Sequence, residues 1–253
     1  MSEHVRVERD GAVLAITLAR PERRNAITAA MYAALADAVA GAANDPRIRL
    51  ITLAGEGADF TAGNDLNDFA NAPPREAGEE APVHRLMRAL IANHLPVVAA
   101  VQGNAVGIGT TLLLHCDLVL AEEGCRFVMP FVDLGLVPEF ASSLILPALA
   151  GRRAAARHLL LAEPFGAEQA LAMGVASHVV PKGELGAALD RVGNALLAKP
   201  VEAMRLTQQL LKTGDNGDVL ERIDLENRHF AERLASEEVK QAIGTFFGAR
   251  QST

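Results

Sequence analysis

Apolar residues recur along the chain in short runs that alternate with longer segments of helical periodicity. Two alternating runs, at residues 5–9 and 12–18, flank Asp10 and Gly11, a pair typical of a tight hairpin turn. The other predicted strands are at residues 48–54, 97–101, 117–122, 125–130 and 176–181. Strands separated by helices indicate a mixed α/β domain whose sheet is covered on both faces.

Helical periodicity of 3.6 residues first occurs after Thr28, which predicts an N-capped helix as far as residue 43. Further helices are predicted at residues 84–94, 139–149, 152–161 and 166–173. From residue 185 only helical periodicity remains, with apolar Val219, Ile223, Phe230 and Leu234 at helix-like spacing. We therefore expect a core at residues 1–195 and a C-terminal helical region at 196–253.

Composition and charge exclude several classes of protein. The 253 residues are half hydrophobic and carry a formal charge of −7, without a basic stripe, so we expect neither a nucleic-acid nor a membrane-surface partner. The two cysteines, Cys116 and Cys125, stand in apolar surroundings and resemble reduced core residues. The histidines show no metal-ligand spacing and no apolar run could span a bilayer, so we expect a cytoplasmic protein without a metal.

Two glycine-rich turns follow predicted strands and are the strongest candidates for a site. One is VQGNAVGIG at residues 101–109, which passes into a Leu-rich helical run, and the other lies at residues 55–66. Glycines let the backbone approach a ligand, and the first amides of a helix have no intrahelical acceptor. Such amides can hold a polarised oxygen, as an oxyanion hole does. The alternative is a pair of closely packed turns without chemistry.

Three segments carry a resemblance to a known family. RPERRNA stands at residues 20–26, FTAGNDL at 60–66, and VQGNAVGIG at 101–109, followed by CDLVLA. In this order and spacing they resemble the crotonase superfamily, the enoyl-CoA hydratase/isomerase family, and most of all the monofunctional 3,2-enoyl-CoA isomerases of peroxisomal type. The resemblance implies a spiral of ββα units with C-terminal helices that form homotrimers, often paired into hexamers.

The resemblance also implies an acyl-CoA thioester as substrate, with coenzyme A as part of the substrate and no separate cofactor. Two backbone amides, by position those of Ala62 and Ile108, are expected to hold the thioester oxygen. The substrate-binding residues implied by position are Arg24, Ala26, Gly63, Asn64, Asp65, Leu66, Gly107 and Phe131. For the arginines of the 20–26 loop, a solvated basic loop is the alternative.

The carboxylates indicate which reaction to expect. Hydratases of the family use two glutamates, but Thr111 and Phe131 occupy those positions here, and neither side chain can transfer a proton to or from water. Glu139, in LGLVPEFASS, stands where the isomerases carry their single acid. One base suffices to move a double bond, so Glu139 is the predicted catalytic group, with a pKa raised by apolar neighbours. One alternative is that Glu139 is only a first-turn acid of the helix at 139–149. Separately, Asp133 is either a displaced catalytic acid or a solvated loop charge.

The resulting prediction is an isomerase that converts a 3-enoyl-CoA into the conjugated 2-enoyl-CoA. Two alternatives remain from the sequence. One is a hydratase-like or ring-opening reaction on the same oxyanion hole, because one fold supports many chemistries. The other is a non-catalytic module that binds acyl-CoA.

Overall fold

The structure is a computed structural model that describes residues 2–70, 80–212, 216–239, 241–242 and 244–245. Its strands are β1 (Val5–Asp10), β2 (Val13–Leu18), β3 (Leu50–Gly55), β4 (Val97–Val101), β5 (Asn104–Val106), β6 (Leu118–Glu122), β7 (Arg126–Val128), β8 (Phe165–Gly166) and β9 (His178–Val180). Its helices are α1 (Ala29–Ala43), α2 (Leu66–Ala70), α3 (Pro82–Ala92), α4 (Ile108–Thr111), α5 (Ser142–Ala150), α6 (Arg152–Leu160), α7 (Ala167–Ala172), α8 (Leu185–Leu197), α9 (Val201–Lys212) and α10 (Asn216–Leu234).

Six strands form the main sheet, in the order β1-β2-β3-β4-β6-β9. Only β1 runs antiparallel to its neighbour, and the predicted hairpin turn is confirmed, with Gly11 at φ 55°. Both faces are covered, because alternate residues of β4 join different apolar clusters. Val97, Ala99 and Val101 face the cluster that includes α1 and α3, whereas Val98 packs with the residues beneath α8. The near-continuous apolar runs of the central strands follow from this double burial.

A second, three-stranded sheet has the order β5-β7-β8 and stands beside the glycine turns. The sequence predicted that the turn at 101–109 passes into a helix, and α4 does begin at Ile108, but the structure also places β5 within the turn, paired in parallel with β7. The following helix, α4, has four residues and continues as a 3-10 turn over Leu112–His115. A strand of three residues is too short to give a detectable apolar period.

The C-terminal helices are fastened to the core by polar contacts. The Asp117 carboxylate accepts hydrogen bonds from the Val97 amide at 2.7 Å and from the Gln208 side chain of α9 at 2.7 Å. The Lys212 ammonium donates to the carbonyls of Leu90 and Asn93 at the end of α3. The proposed division at residue 195 falls near the end of α8 and stays a prediction.

Some expectations concern residues that the structure does not describe. The breaker-rich residues 70–82 also predict a loop, but residues 71–79 lie outside the described residues, as does the end of the chain. Within the described ranges, no helix is both long and apolar enough to cross a bilayer. The same ranges contain no group of three His, Cys, Asp or Glu side chains that could hold a metal ion.

Candidate active site

The two glycine turns lie side by side and are joined by main-chain hydrogen bonds. The Thr61 amide donates to the Asn104 carbonyl at 3.0 Å, and the Val106 amide donates to the Thr61 carbonyl at 3.1 Å. Gly63 has φ 84°, and a Cβ at this position would lie 2.6 Å from the Val106 carbonyl oxygen. Glycine is therefore required at 63 both by its backbone conformation and by the neighbouring turn.

The second turn exposes backbone at one glycine and packs tightly at the next. Gly107 has φ 56°, and a Cβ built on it would meet no atom within 4 Å. At Gly109 a Cβ would lie 2.3 Å from the Thr61 methyl group. The space beside Gly107 is therefore open, while Gly109 brings the start of α4 against the first turn.

The amide of Ile108 makes no hydrogen bond to the described residues, whereas that of Ala62 makes one. The Ala62 N–H donates to the Arg24 carbonyl at 2.8 Å, and the Gly63 N–H donates to the Thr61 hydroxyl at 3.0 Å. No acceptor is found in the described part of the chain for the N–H groups of Asn64 and Ile108. The assignment of Ala62 as a donor is therefore wrong in this structure, and Asn64 offers the first-turn amide.

The basic loop at residues 20–26 is tied to the first turn by ion pairs. Arg24 contacts Asp59 at 2.7 Å and Arg20 contacts Asp65 at 2.6 Å. The Arg24 guanidinium holds the pKa of the Asp59 carboxyl below its ordinary value. Arg20 also donates to the Ala26 carbonyl at 3.0 Å. These two arginines thus hold the turn in place, and the predicted contact of Arg24 and Ala26 with coenzyme A stays a prediction.

Tyr32 contacts the first turn, and the sequence did not single it out. Its hydroxyl donates to the Asn64 side-chain oxygen. Burial, and then the charge of Glu139, raise the pKa of Tyr32 well above its ordinary value, so the phenol keeps its proton. Tyr32 and Ile108 also line one apolar cavity of about 20 Å³. Its uniqueness, as the one tyrosine of the chain, was the only available signal.

Two further predicted substrate residues shape the first turn. Oδ1 of Asp65 accepts the amides of Asn67 and Asp68, an Asx-type turn that starts α2 at Leu66. The side chains of both Asp65 and Leu66 are half-buried. Their role in binding substrate stays a prediction, whereas the role of Asp65 in fixing the turn follows from these contacts.

Glu139 is a buried carboxyl group that precedes α5. It is 4% exposed, and its Oε1 has no hydrogen-bond partner among the described residues. Burial raises its pKa to about 8, with a further contribution from the charge of Glu226. The alternative of a first-turn helix acid does not hold, because α5 begins at Ser142, after two left-handed residues. A buried group with a pKa near neutrality is the usual form of a general acid or base.

Neither of the two positions expected to carry a glutamate in a hydratase, 111 and 131, has a carboxylate here. Thr111 is fully buried, and its hydroxyl has no hydrogen-bond partner among the residues described. Phe131 is 4% exposed and belongs to the main apolar cluster, so its predicted contact with substrate stays untested. Asp133 lies in the 3-10 turn Val132–Leu134 and is exposed, which disfavours it as a displaced catalytic acid.

Glu226 of α10 is the second buried acid near the site, and sequence reasoning passed over it. It is 5% exposed, and its pKa is raised by burial. A signal existed, since Glu226 stands three residues after Ile223 and four before Phe230, on the apolar face of the predicted helix. A charge on a buried stripe indicates a specific partner.

Several known proteins have sequences similar to that of this chain. The chain matches the enoyl-CoA hydratase/isomerase family over residues 8–253. It is 33% identical to the 1,2-epoxyphenylacetyl-CoA isomerase of Escherichia coli, over 99% of this chain and 97% of that protein. It is 28% identical to the crotonyl-CoA hydratase of Syntrophomonas wolfei, over 99% and 97% of the two chains. The relatives thus include both isomerases and hydratases.

Solved structures of similar sequence also have the same fold as this chain. The structure of Pseudomonas aeruginosa OdaA superposes with a TM-score of 0.93 at 41% identity, over 97% of this chain and 99% of that one. The predicted α/β crotonase fold is thereby confirmed. The chain belongs to the enoyl-CoA hydratase/isomerase family.

Proposed function

We propose that the protein is an enoyl-CoA isomerase that converts a 3-enoyl-CoA into the conjugated 2-enoyl-CoA. The observation that carries this proposal is the carboxylate inventory of the site. Glu139 is buried, and one of its carboxylate oxygens has no hydrogen-bond partner among the described residues. By the family resemblance, Thr111 and Phe131 occupy the two positions at which hydratases carry glutamates. One carboxylate can move a proton within a substrate, but the hydration of a double bond needs a second group to handle water.

The two available amides act on the thioester oxygen. In the proposed mechanism the N–H groups of Asn64 and Ile108 donate to this oxygen and stabilise the enolate that forms when a proton leaves C2. Each such donor contributes about 3–4 kcal/mol to the transition state by comparison with other oxyanion holes. Because α4 has only four residues, the helix dipole adds little, and the orientation of the two amides carries the effect.

Glu139 carries the proton in this mechanism. Its ionised carboxylate removes a proton from C2, the electron pair enters the enolate, and the same carboxyl group then returns the proton at C4. The double bond moves from C3–C4 to C2–C3, and no atom is gained or lost. A pKa of about 8 lets one group both take and return a proton near neutral pH.

The proposal extends to substrate contacts and assembly. The resemblance places coenzyme A against the 20–26 loop and its pantetheine arm along residues 62–66, with no cofactor besides the substrate's own coenzyme A. We further propose that the protein is cytoplasmic and forms a homotrimer or hexamer. Its single catalytic acid makes it similar to the peroxisomal-type 3,2-enoyl-CoA isomerases. The exposed side chains of Val201, Leu206 and Leu210 on α9 support such an assembly.

A second candidate is isomerisation of an aryl-CoA epoxide. The observation in its favour is the 33% identity to 1,2-epoxyphenylacetyl-CoA isomerase over nearly the whole chain. Such a reaction would use the same oxyanion hole and the same single acid. The two candidates differ in the substrate and not in the machinery.

Turnover of a 3-enoyl-CoA, a 2-enoyl-CoA and 1,2-epoxyphenylacetyl-CoA, measured side by side, tests the proposal. We expect formation of the conjugated thioester from the first substrate and no hydration of the second. Glu139→Gln should lower kcat by about 10²–10⁴-fold, while Asp133→Asn, the same change at the exposed acid, should leave it unaltered. Hydration of the 2-enoyl-CoA at a comparable rate would contradict the isomerase. Turnover of the epoxide alone would favour the second candidate. Binding of the three thioesters without turnover of any of them would favour a non-catalytic module.

A further inference from the structure

The segment that carries Glu139 has an unfavourable backbone conformation. Phe140 has φ 57° and Ala141 has φ 55°, so two consecutive non-glycine residues are left-handed. L-residues other than glycine, asparagine and aspartate rarely adopt this conformation, because Cβ approaches the following carbonyl. Ala141 is also the N-cap of α5, and it has no side chain that could accept the first amides of the helix. Contacts from elsewhere must therefore stabilise this segment.

Glu226 of α10 makes those contacts. Its Oε2 accepts a hydrogen bond from the Ala141 amide at 2.6 Å, and its Oε1 accepts from the Ser143 amide at 3.1 Å and from the Ser143 hydroxyl. A carboxylate at this place satisfies amides that otherwise lack an acceptor at the start of a helix. Thus a residue 85 positions along the chain from Ala141 does the work of an N-cap.

A second contact holds the same segment from the 3-10 turn after α4. Nε2 of His115 lies 2.8 Å from the Phe140 carbonyl, and the two rings stack with centroids 3.8 Å apart. Burial lowers the pKa of His115 to about 4, so the ring is neutral and Nε2 carries the hydrogen that it donates. His115 and Glu226 therefore fix Phe140 and Ala141 between them.

We propose that Glu226 is a positioning residue for Glu139: its carboxylate caps α5 from α10 and so holds the backbone segment that carries Glu139. The proposal rests on the proposed function for the role of Glu139 as base. It makes α10 a part of the active site, with a defined task besides packing.

The charges around Glu139 support an electrostatic component. Tyr32 from α1 is a neutral phenol and His115 a neutral imidazole, so neither offsets a charge on Glu139. Arg222 of α10 faces Glu226 and donates to the Ser143 hydroxyl at 3.1 Å. After burial, the charge of Glu226 is the cause that raises the pKa of Glu139. Removing this charge should lower the pKa of Glu139, because a like charge disfavours ionisation.

The charge of Glu226 can be removed without changing the side chain of Glu139, and this gives the test. Side-chain carboxyl signals are followed by ¹³C NMR in the full-length, glutamate-labelled protein without substrate, in wild type, Glu226→Gln, Glu139→Gln and Glu221→Gln. Glu221 is an exposed acid of the same helix and serves as the matched control. We expect Glu226→Gln to lower the Glu139 midpoint by at least about half a pH unit. Glu139→Gln should leave the Glu226 midpoint nearly unchanged, because Glu139 still holds its proton while Glu226 titrates.

Each result of these titrations either supports the coupling between the two acids or contradicts it. A lower Glu139 midpoint in Glu226→Gln and an unchanged one in Glu221→Gln would support it, whereas an unchanged Glu139 midpoint in folded Glu226→Gln would overturn it. If Glu226→Gln fails to fold, Glu226→Asp decides, because it keeps the charge but shortens the side chain: the Glu139 midpoint should stay high while kcat falls, and a wild-type kcat would overturn the positioning role. A role in packing only would destabilise the protein without moving either midpoint.

Kinetics then connect the coupling to turnover. Glu226→Gln should lower kcat by about tenfold or more through misplacement of the base, and the rise of kcat/KM with pH should move to lower pH. Glu221→Gln should change neither quantity. The titrations need no substrate, so shifted midpoints without isomerase turnover would remove only the proposed function. Isomerase turnover by the wild-type protein, together with an unshifted Glu139 midpoint in Glu226→Gln, would contradict the coupling and leave the proposed function standing.

Discussion

Glu139 combines burial with a missing hydrogen-bond partner, and this combination has a cost in stability. The ordinary pKa of 4.5 is raised to about 8 in the folded protein. Between these two values the unfolded chain releases a proton that the folded protein retains. The folded state therefore binds more protons, and the stability falls as pH rises through this window.

Replacement of Glu139 by glutamine removes this penalty. The unfolding free energy of Glu139→Gln relative to wild type should increase between pH 5 and pH 8.5, by an amount of the order of a few kcal/mol. Denaturant unfolding at the two pH values measures it, and the constant cost of burying an amide cancels between them. A difference that does not change with pH would show that the carboxyl group is not strongly perturbed.

Gly63 is a position at which the structure does not tolerate a side chain. Gly63→Ala should lower the unfolding free energy by at least about 2 kcal/mol, because it combines φ 84° with a Cβ 2.6 Å from the Val106 oxygen. The variant should also lose turnover, since the Asn64 amide follows this position. Gly186→Ala, on α8 with open space around it, is the control and should be neutral or stabilising. Equal stability of the two variants would contradict the close approach of the turns.

At this scale the sequence revealed residue types better than hydrogen-bond partners. Glu139 and the glycines of both turns could be predicted from motif and spacing. The choice between the amides of Ala62 and Asn64 could not, because it depends on where the Arg24 carbonyl lies in three dimensions. Glu226 was missed because its partners are 83 and 85 positions away in the chain.

Among the elements, those with a long apolar period were predicted well. The hairpin β1–β2, the capped helix α1 and the strands of the main sheet follow from periodicity and turn residues, and Thr28 accepts the Met31 amide as expected of an N-cap. The short strands β5 and β8 were missed. They have three and two residues and depend on pairing with β7, which a local pattern cannot reveal.

The attachment of α9 to the core is an interaction between elements that can be tested. Asp117→Ala should lower the unfolding free energy by roughly 1–3 kcal/mol, because it leaves the Val97 amide without its acceptor and releases Gln208. Thermal unfolding of this variant should be compared with that of Asp190→Ala, an exposed acid of α8. If both variants melt at the wild-type temperature, Asp117 does not anchor the helix.

The whole molecule presents an apolar surface on α9 that its own core leaves uncovered. Leu206 is 45% exposed and Leu210 is 74% exposed, although Gln208 between them is buried against the core. The helix is thus fixed on one side and open on the other. Large exposed apolar side chains on a fixed element favour burial against another chain.

The expected assembly can be measured directly. Sedimentation velocity should give three times the 26.7 kDa of one chain, or six times if trimers pair. Leu210→Glu should shift the protein towards monomers, because it places a charge in the proposed interface, while Ala187→Glu on α8 should not. A wild-type protein that sediments as one chain at micromolar concentration would rule the assembly out.

The donors proposed to activate the substrate are main-chain atoms, and among the natural substitutions only proline would delete one. Any residue at 64 or 108 other than proline still supplies an N–H, so the side chains there are open to variation that alters the fit of the acyl group. Only an amide-to-ester exchange, introduced by chemical synthesis or ligation, would remove a donor while keeping the shape. The protein can therefore diversify its substrates by ordinary point mutation without losing the polarising half of its chemistry, which is encoded in the path of the chain.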